Sequence, residues 1–256
     1  MKRYTRLRAT NNSHWGSDMY RILLAALLLA ASSSLAFASD IDNLDALMQD
    51  QFHGLSADLG AVLQFKQLEP AAPEGLTGFN FGFDVSTTRI EHDAAWRVAT
   101  GGSDVSTVPM ARVRLTKGLP GGIDIGGFYS TAPGTNIKAY GGELRYALLE
   151  GGTLEPAIGL RGTYNRITGV DQLGFHTESL ELSISKGFGP FTPYAGAGRI
   201  WVSSTPDPST GLRNESFGEN EVFAGFDISF VVMDFALEAN RIGDNLTYSA
   251  KLAFGF

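Results

Sequence analysis

The sequence predicts an all-β protein: a closed antiparallel transmembrane β-barrel of about ten strands, preceded by a short N-terminal helical segment. After residue 76, apolar and polar side chains alternate with a period of two, which is typical of strands with one apolar and one polar face. The connections between these stretches also alternate, from tight Gly- and Pro-containing turns to mostly longer polar loops. Short turns at one end and longer loops at the other are typical of membrane barrels.

The C-terminal stretch, residues 245–256, shows the alternation most clearly. Every second side chain is apolar or aromatic, namely Leu246, Tyr248, Ala250, Leu252, Phe254 and Phe256. The intervening side chains are polar or small. The stretch is longer than a soluble strand of roughly 5–6 residues and suffices for the roughly 9–11 residues that a tilted strand needs to cross a bilayer. We therefore predict that this strand spans a membrane.

A final amphipathic strand that ends in Phe resembles the assembly signal of bacterial outer-membrane β-barrels, carried here by Tyr248, Leu252, Phe254 and Phe256. The stretches 117–124 (KGLPGGID) and 192–196 (TPYAG) are similar to those of a proteobacterial family of envelope proteins with no assigned function. The resemblance implies a location in the outer membrane, with outer-membrane lipid and the barrel-assembly machinery as partners. It also implies a periplasmic C-terminus, and it implies no activity.

Residues 1–38 are typical of a secretory signal peptide, which implies export through the Sec pathway. An apolar run of ten residues, 22–31, precedes a small-residue site at Ala36 and Ala38, and we expect cleavage before Ser39. The run is too short for a spanning helix, which needs about 20 residues. Because Met19 begins a complete signal by itself, we interpret residues 1–18 as an extension of the true start.

Composition excludes several classes of function. The chain has no Cys, which excludes a lipid-anchored Cys, disulfides and thiolate metal sites. Removal of residues 1–38 takes away five bases and one acid, so the net charge changes from −7 to −11. A chain this acidic is a poor nucleic-acid binder. No His, Asp or Glu cluster has metal-ligand spacing and no glycine loop could hold a phosphate, so we expect no metal and no cofactor.

Residues 39–75 precede the alternating region and form a separate N-terminal segment. The apolar side chains of Ile41, Leu44, Leu47 and Phe52 have helical spacing, and prolines at 70 and 73 end any regular element. This predicts a short amphipathic helix, placed either inside the barrel as a plug or at its periplasmic mouth. An eleventh strand at 59–67 would require a twelfth, so twelve strands remain an alternative.

The ten predicted strands within 76–256 are 76–90, 105–117, 122–131, 136–149, 153–167, 174–187, 191–204, 219–231, 233–242 and 245–256. In nine of them the apolar face is expected to contact lipid. In the strand 191–204 both faces are mixed. We assign Tyr194, Ile200 and Val202 outward, because the opposite choice puts Arg199 into hydrocarbon at a cost of roughly 2–4 kcal/mol. This choice turns Trp201 inward.

The same parity predicts a charged network that faces the lumen, formed by Asp84, Arg112, Arg114, Asp124, Glu143, Arg145, Glu155, Arg161, Glu181, Arg199, Asp227, Glu238 and Lys251. A barrel of eight strands is just filled by side chains, whereas open channels need about 16–18 strands. Charges in so narrow a lumen should pair across strands. The network is therefore either a salt-bridged core or a narrow polar conduit that opens when the pairs rearrange.

Three functions fit these observations. The first is a non-enzymatic barrel that is structural or conducts small solutes passively. The second is an adhesin or interaction protein that acts through the loops 91–104 and 205–218. The third is a hydrolase at the outer rim, by comparison with the ten-stranded omptin proteases, in which His92 would act beside Asp93. A soluble lipocalin-like barrel or a sandwich is the alternative fold, and no oligomeric state is indicated.

Overall fold

Ten antiparallel strands close into a barrel in the computed structural model, which describes residues 40–255. Each strand pairs with its neighbours in sequence, and β1 closes the barrel by pairing with β10. The strands are β1 (Phe79–Arg89), β2 (Thr107–Leu119), β3 (Ile123–Thr131), β4 (Lys138–Leu149), β5 (Ala157–Thr168), β6 (Leu173–Ser185), β7 (Phe191–Pro206), β8 (Glu215–Phe230), β9 (Met233–Ile242) and β10 (Asn245–Gly255). The predicted fold class and the count of ten strands are confirmed.

The barrel wall has an apolar outer face, and its inner face is polar around Asp84. Asp84 on β1 lies directly opposite Arg112 on β2 and Lys251 on β10, and all three are buried. Large apolar side chains of the opposite parity are exposed on every strand; they include Phe83, Leu115, Ile125, Leu144, Tyr164, Leu182, Trp201, Val222, Leu237 and Tyr248. A soluble barrel or sandwich would bury this face, so the soluble alternative is wrong. Among residues 40–255, no helix is long and apolar enough to cross a membrane.

The two ends of the barrel differ in their connections. We call one end the turn end; its connections are residues 120–122, 150–156, 186–190 and 231–232. We call the other the loop end; its connections are residues 90–106, 132–137, 169–172, 207–214 and 243–244. Loop 90–106 contains helix α2 (Asp93–Ala99), and loop 207–214 contains a 3-10 turn (Pro208–Thr210). One predicted tight turn is longer than expected, because β5 begins at Ala157 and not at residue 153.

The N-terminal segment contains a 3-10 turn (Leu44–Ala46) and helix α1 (Gln49–Leu63), followed by an extended stretch, residues 64–74. At the start of α1, the Met48 N–H donates to Gln51 Oε1 at 3.0 Å, which satisfies one unpaired donor of the first turn. The helix continues well beyond the predicted stretch around Ile41 to Phe52. Residues 64–67 take up no strand pairing, so the region considered for an eleventh strand is partly helix and partly extended plug.

The predicted inner and outer faces of β7 are exchanged in the structure. Tyr194, Ile200 and Val202 face the interior and are buried, whereas Trp201 faces outward and is 44% exposed. Arg199 also faces outward and donates to Asn220 Oδ1 at 3.1 Å. Arg199 lies near the loop end, because the main-chain carbonyl of its partner Asn220 accepts from the Gly243 N–H in a loop-end connection. At this level its exposure to lipid costs less than at the bilayer midplane. The interior that Ile200 and Val202 enter is apolar, since α1 fills it.

Candidate functional site in the barrel lumen

The candidate site is the interior of the barrel, which residues 40–74 occupy from the loop end to the turn end. At the loop end, the N–H groups of Asp42 and Asn43 both donate to Ala99 O at 3.1 Å. The Ile41 N–H donates to Asn136 Oδ1 at 3.2 Å, which ties the segment to a second loop. The first described residues are therefore bound among the loops.

Further contacts tie the segment to two more loops. The Leu44 N–H donates to Gln172 Oε1 at 3.1 Å, and Gln49 Nε2 donates to Arg213 O at 3.2 Å. The Arg213 N–H donates back to Gln49 Oε1 at 2.9 Å. Residues 41–49 thus bind four of the five loop-end connections, and they form with them one closed cap.

At the turn end, the same segment leaves the lumen just before β1. The Ala71 N–H donates to Ser185 Oγ at 3.0 Å, and the Glu74 N–H donates to Asp124 Oδ1 at 3.1 Å. Ser185 is the last residue of β6 and Asp124 the second residue of β3, so both lie next to turn-end connections. The chain therefore passes through the whole barrel before its first strand. Of the two placements left open by the sequence, the described residues occupy the interior.

The upper half of the lumen, next to the loop end, is an apolar core around α1. Phe52, Leu55, Leu59 and Val62 of this helix are fully buried. The wall contributes Val108, Met110, Ala139, Ile167, Phe175, Ile200, Val202 and Ile242 to the same core. Each buried side chain of this size stabilises the packed state by about 1.5–3 kcal/mol relative to exposure. Packing against the wall thus holds the helix in place.

Two glycines of α1 allow this close approach to its surroundings. A Cβ atom at Gly60 would lie 2.7 Å from Val202 Cγ2, and one at Gly54 would lie 2.6 Å from His92 Cδ2. Real Cβ atoms do not come so close, so any larger residue would push α1 away from β7 or from loop 90–106. The glycines in this helix lower its intrinsic propensity by about 1 kcal/mol each, and packing offsets that cost.

The lower half of the lumen is polar, and the wall holds the extended stretch by its backbone. Four buried arginines donate to main-chain oxygens of residues 64–70. The bonds run from Arg112 to Gln64 (3.3 Å), from Arg161 to Phe65 (2.8 Å), from Arg114 to Gln67 (3.0 Å) and from Arg145 to Pro70 (2.5 Å). These carbonyls have no strand partner, and a buried carbonyl without a donor is costly. The arginines therefore supply the hydrogen-bond donors that a neighbouring strand would supply in a sheet.

Phe65 is the centre of this arrangement and is fully buried. The guanidinium carbons of Arg114, Arg161 and Arg112 lie 4.4, 5.0 and 5.5 Å from the centroid of its ring. The ring of Phe128 lies 4.4 Å away. A cation over an aromatic face is worth about 0.5–2 kcal/mol, more when the pair is desolvated. Phe65 thus separates three like charges that would otherwise face each other directly.

Glu69 of the plug is the acid that compensates the arginines below Phe65. Its carboxylate accepts from Arg145 Nη1 at 2.5 Å and from Lys251 Nζ at 3.2 Å. Arg114 Nε lies 3.6 Å away. All of these side chains are buried, so removal of Glu69 would leave uncompensated positive charge inside the barrel.

Arg161 joins two wall acids to the plug. Its Nε donates to Glu143 Oε2 at 2.5 Å and its Nη1 to Glu181 Oε2 at 2.7 Å. Glu181 also accepts from Gln64 Nε2 at 2.7 Å, so the plug enters the same network. Beside it, Arg112 donates to Asp84 at 3.0 Å. The predicted pairing of charges across the lumen therefore includes partners from residues 64–69.

Lys66 and Leu68 anchor the plug on the opposite side of the wall. Lys66 Nζ donates to Ala61 O at 2.9 Å and lies 3.5 Å from Asn240 Oδ1. The Leu68 N–H donates to Glu238 Oε2 at 2.8 Å, and Leu68 has a left-handed φ of 52°. A non-glycine residue in this conformation costs about 1–2 kcal/mol. The bond to Glu238 helps to hold this bend.

Arg114 contacts three carboxylates of the lower network. Its Nε lies 3.6 Å from Glu69 Oε1, its Nη1 lies 3.9 Å from Asp84 Oδ2 and its Nη2 lies 3.8 Å from Glu143 Oε1. All of these side chains are buried, so their charges compensate one another inside the barrel.

Asp58, on the wall-facing side of α1, binds the plug to loop 90–106 and to β10. It is fully buried and accepts from His92 Nδ1 at 2.9 Å, from Trp96 Nε1 at 2.9 Å and from Asn245 Nδ2 at 2.8 Å. The His92 N–H adds a fourth bond at 3.1 Å. We call Asp58, His92, Trp96 and Asn245 the aspartate clasp. His92 is thus paired with Asp58 rather than with its sequence neighbour Asp93.

A second histidine pairs with a carboxylate at the loop end. His53 Nδ1 lies 3.0 Å from Glu215 Oε2, and Gln49 donates to the same carboxylate. The His53 ring also packs on Phe217, with centroids 4.4 Å apart. Within residues 40–255, no three His, Asp or Glu side chains come together in a way that could hold a metal ion.

Glu74, where the plug leaves the lumen, is expected to make stability depend on pH. Partial burial, and to a lesser extent the nearby Glu69 carboxylate, raise the pKa of Glu74 from 4.5 to about 7. Its charged form is therefore disfavoured in the folded state, and the penalty is absent below pH 4.5 and complete above pH 7. We predict that Glu74→Gln raises the free energy of unfolding by about 1 kcal/mol at pH 8 and leaves it unchanged at pH 4.

Urea unfolding of the refolded barrel at both pH values measures this effect. Glu150→Gln is the matched control, since Glu150 lies exposed in a turn-end connection. A gain at pH 8 that is equal in the two variants, or a gain that persists at pH 4, would contradict the assignment to Glu74.

The structure places all but two of the predicted lumen residues inside the barrel. The inward-facing, buried residues are Asp84, Arg112, Arg114, Asp124, Glu143, Arg145, Arg161, Glu181, Asp227, Glu238 and Lys251. The prediction that Arg199 faces the lumen is wrong for the reason given above. The same prediction for Glu155 is also wrong, because β5 begins only at Ala157 and Glu155 is exposed in the connection 150–156.

The site residues that sequence reasoning missed come mostly from the plug: Asp58, Gln64, Phe65, Lys66 and Glu69. In the sequence, the four polar members of this set are marked only by their position in an otherwise mostly apolar stretch. Of the predicted assembly signal, Tyr248 and Phe254 are exposed on the outer face. Leu252 is partly exposed. Phe256 and the predicted cleavage residues Ala36, Ala38 and Ser39 lie outside the described residues.

These features define the class of protein. A closed barrel with apolar side chains outside and paired charges inside can satisfy its backbone in lipid, which open sheets cannot. The chain is a transmembrane β-barrel whose lumen is filled by its own N-terminal segment, residues 40–74.

No protein-family model matches the chain, and no curated protein matches its sequence. Among solved structures, it is similar to the N-terminal β-barrel domain of OprF from Pseudomonas aeruginosa (13% identity, 69% of this chain and 97% of the other, TM-score 0.37). It is also similar to the outer membrane protease OmpT from Escherichia coli (11%, 71% and 97%, 0.40) and to the outer membrane protein OprG from Pseudomonas aeruginosa (10%, 73% and 99%, 0.34). Similarity at this level identifies no function for this chain.

Proposed function

We propose that this protein is a non-enzymatic outer-membrane barrel that its own N-terminal segment keeps closed in the resting state. A path for small solutes would open only when residues 40–74, which include α1, leave the lumen. The observation that carries this proposal is that the segment is bound at both ends and along its length, from Asp42 at the loop end to Glu74 at the turn end. Such an occupied lumen supports a closed resting state over a permanently open conduit.

The orientation follows from the resemblance to outer-membrane barrels, which implies that the C-terminus and the short turns lie in the periplasm. Residues 41–49 would then lie at the cell surface.

A disulfide between α1 and β7 tests whether the helix occupies the lumen. In a Gly60→Cys/Val202→Cys variant, the Val202 Cγ2 atom that would clash with a Cβ at Gly60 is absent, and the two Cβ atoms would lie about 3.9 Å apart, within the range of natural disulfides. The chain has no other Cys. We predict that an intramolecular disulfide forms in the folded barrel, seen as a shift in gel mobility after unfolding. Asp50→Cys/Val202→Cys is the control, because Asp50 is exposed on α1 and should not react with Val202→Cys.

Conductance in planar bilayers then tests the closed state. The wild type and the oxidised disulfide variant should both show no unitary conductance, and a variant without residues 40–75 should conduct if its barrel assembles. Should that deletion not assemble, Asp58→Ala/Arg145→Ala serves as the variant with a loosened plug, because it removes the acceptor that binds α1 to loop 90–106 and the bonds from Arg145 to Glu69 and Pro70. Stable conductance by the oxidised variant, measured at the protein-to-lipid ratio used for the wild type, would contradict the proposal.

A second candidate function is an adhesin or interaction protein that acts through the loop end. The cap formed by residues 41–49 and four loops favours it, since such a surface is held in one arrangement. Deletion of residues 207–212 should then abolish binding to cells or matrix and leave conductance unchanged. The rim hydrolase has less support: His92 uses Nδ1 to bind a carboxylate that is already saturated with donors. Unchanged hydrolysis by a His92→Ala variant would exclude His92 from any such activity.

A further inference from the structure

Two cations on the outer wall near the loop end belong to a compact patch on β4, β5 and β6. Tyr140 lies directly opposite Arg166, and Arg166 lies directly opposite His176. Lys138 lies on the same face as Tyr140, and the ring of Tyr164 stacks on that of His176 with centroids 5.7 Å apart. We call Lys138, Tyr140, Tyr164, Arg166 and His176 the basic-aromatic patch.

The two cations of the patch differ from other cations of the outer wall in having no partner. Within residues 40–255, neither the Lys138 nor the Arg166 side chain makes a hydrogen bond or an ion pair, and both are exposed. Other wall cations are engaged: Arg89 with Glu91, Arg199 with Asn220, Arg241 with Asp244, and Lys117 and Lys186 with carbonyls near the turn end. Lys138 lies opposite Thr168, so it is a diagonal neighbour of Arg166 across β4 and β5, and the two free cations lie at one rim of the barrel.

The same three strands present an apolar surface directly below the patch, toward the turn end. Its exposed side chains are Leu144, Tyr146, Leu180, Leu182 and Ile184. Gly162 lies directly opposite both Leu144 and Leu180, so no side chain stands between these two leucines. A molecule that fits both surfaces has an anionic head at the level of Arg166 and an apolar tail along Leu180.

We propose that the basic-aromatic patch binds the phosphorylated headgroup of a lipid in the leaflet at the loop end, with its acyl chains on the apolar surface below. Arg and Lys are the side chains that bind phosphate, by bidentate and point-charge contacts respectively. Tyrosine is favoured at the membrane–water boundary, where its hydroxyl remains hydrated. Free phosphate would use the cations but gain nothing from the apolar surface, so the lipid is the ligand that the whole arrangement fits.

Binding of lipid A to the purified full-length barrel in a neutral detergent tests this proposal. Lipid A, enzymatically dephosphorylated lipid A and inorganic phosphate serve as the three probes. The wild type should bind lipid A, bind the dephosphorylated form at least about 10-fold more weakly, and show no comparable affinity for inorganic phosphate. Lys138→Gln/Arg166→Gln should bind lipid A roughly 30-fold more weakly, since each membrane-surface cation contributes about one kcal/mol.

The matched control is Arg97→Gln/Arg213→Gln, which removes the same charge from exposed loop residues outside the wall. It should bind lipid A as the wild type does, and Lys138→Arg/Arg166→Lys should retain most of the affinity. Equal binding of both lipid forms, or equal losses in the two double variants, would overturn the proposal. Inorganic phosphate that competes with lipid A at equal affinity would show a phosphate site instead of a lipid site.

Discussion

Replacement of Arg161 by Met is expected to lower the free energy of unfolding by about 3–5 kcal/mol, the largest effect of any single change in the lumen. Arg161 bonds to Glu143 and Glu181, and each of the three side chains is at most 2% exposed. Loss of the guanidinium leaves two buried carboxylates without their main cation. It also removes a donor to Phe65 O. Urea unfolding of the barrel in lipid vesicles measures the change.

Two further variants separate this cause from a general effect of losing an arginine. Arg199→Met removes an outward-facing, exposed arginine and should change stability by no more than about 1 kcal/mol. The triple variant Arg161→Met/Glu143→Gln/Glu181→Gln should recover part of the loss, because the two carboxylates that lose Arg161 are then replaced by neutral amides. If Arg161→Met unfolds like Arg199→Met, the buried network described around Arg161 is incorrect.

The second large effect is expected for Asp58→Ala, which removes the acceptor of the aspartate clasp. His92, Trp96 and Asn245 would each lose a hydrogen-bond acceptor. A buried donor left unsatisfied costs about 1–3 kcal/mol, so a total loss of about 3 kcal/mol is expected, since His92 can turn toward water. Loop 90–106 would also detach locally, because Trp96 and His92 are its anchors on α1.

Limited trypsin digestion detects that local release. Arg97 follows Trp96 in α2 and is exposed, so cleavage after Arg97 should become markedly faster in Asp58→Ala. Asp50→Ala is the control on the same helix, because Asp50 is exposed. Asp58→Asn should have an intermediate effect, since its amide retains one acceptor oxygen. Unchanged cleavage in Asp58→Ala would show that the clasp does not hold the loop.

The sequence predicts the side of the wall that a residue occupies wherever it identifies the strand correctly. A bilayer on one side of the wall imposes a strict two-residue period, and this period assigns Arg112, Arg145 and Lys251 to the lumen. The two errors have local causes. Glu155 lies two residues before the first residue of β5. The two faces of β7 depend on α1 inside the barrel, which makes the interior apolar where the Ile200 side chain enters it.

The membrane barrel, its count of about ten strands and the charge of its interior follow from the amino-acid pattern, because each of these depends on a period that a single strand repeats. What fills that interior follows from the folded structure alone. Asp58, Phe65 and Glu69 lie in a segment without strand period, and the partners of the Asp58 and Glu69 carboxylates are from 34 to 187 residues away in the chain. Contacts over such separations depend on where the closed wall leaves space, and a local pattern of residues does not contain that information.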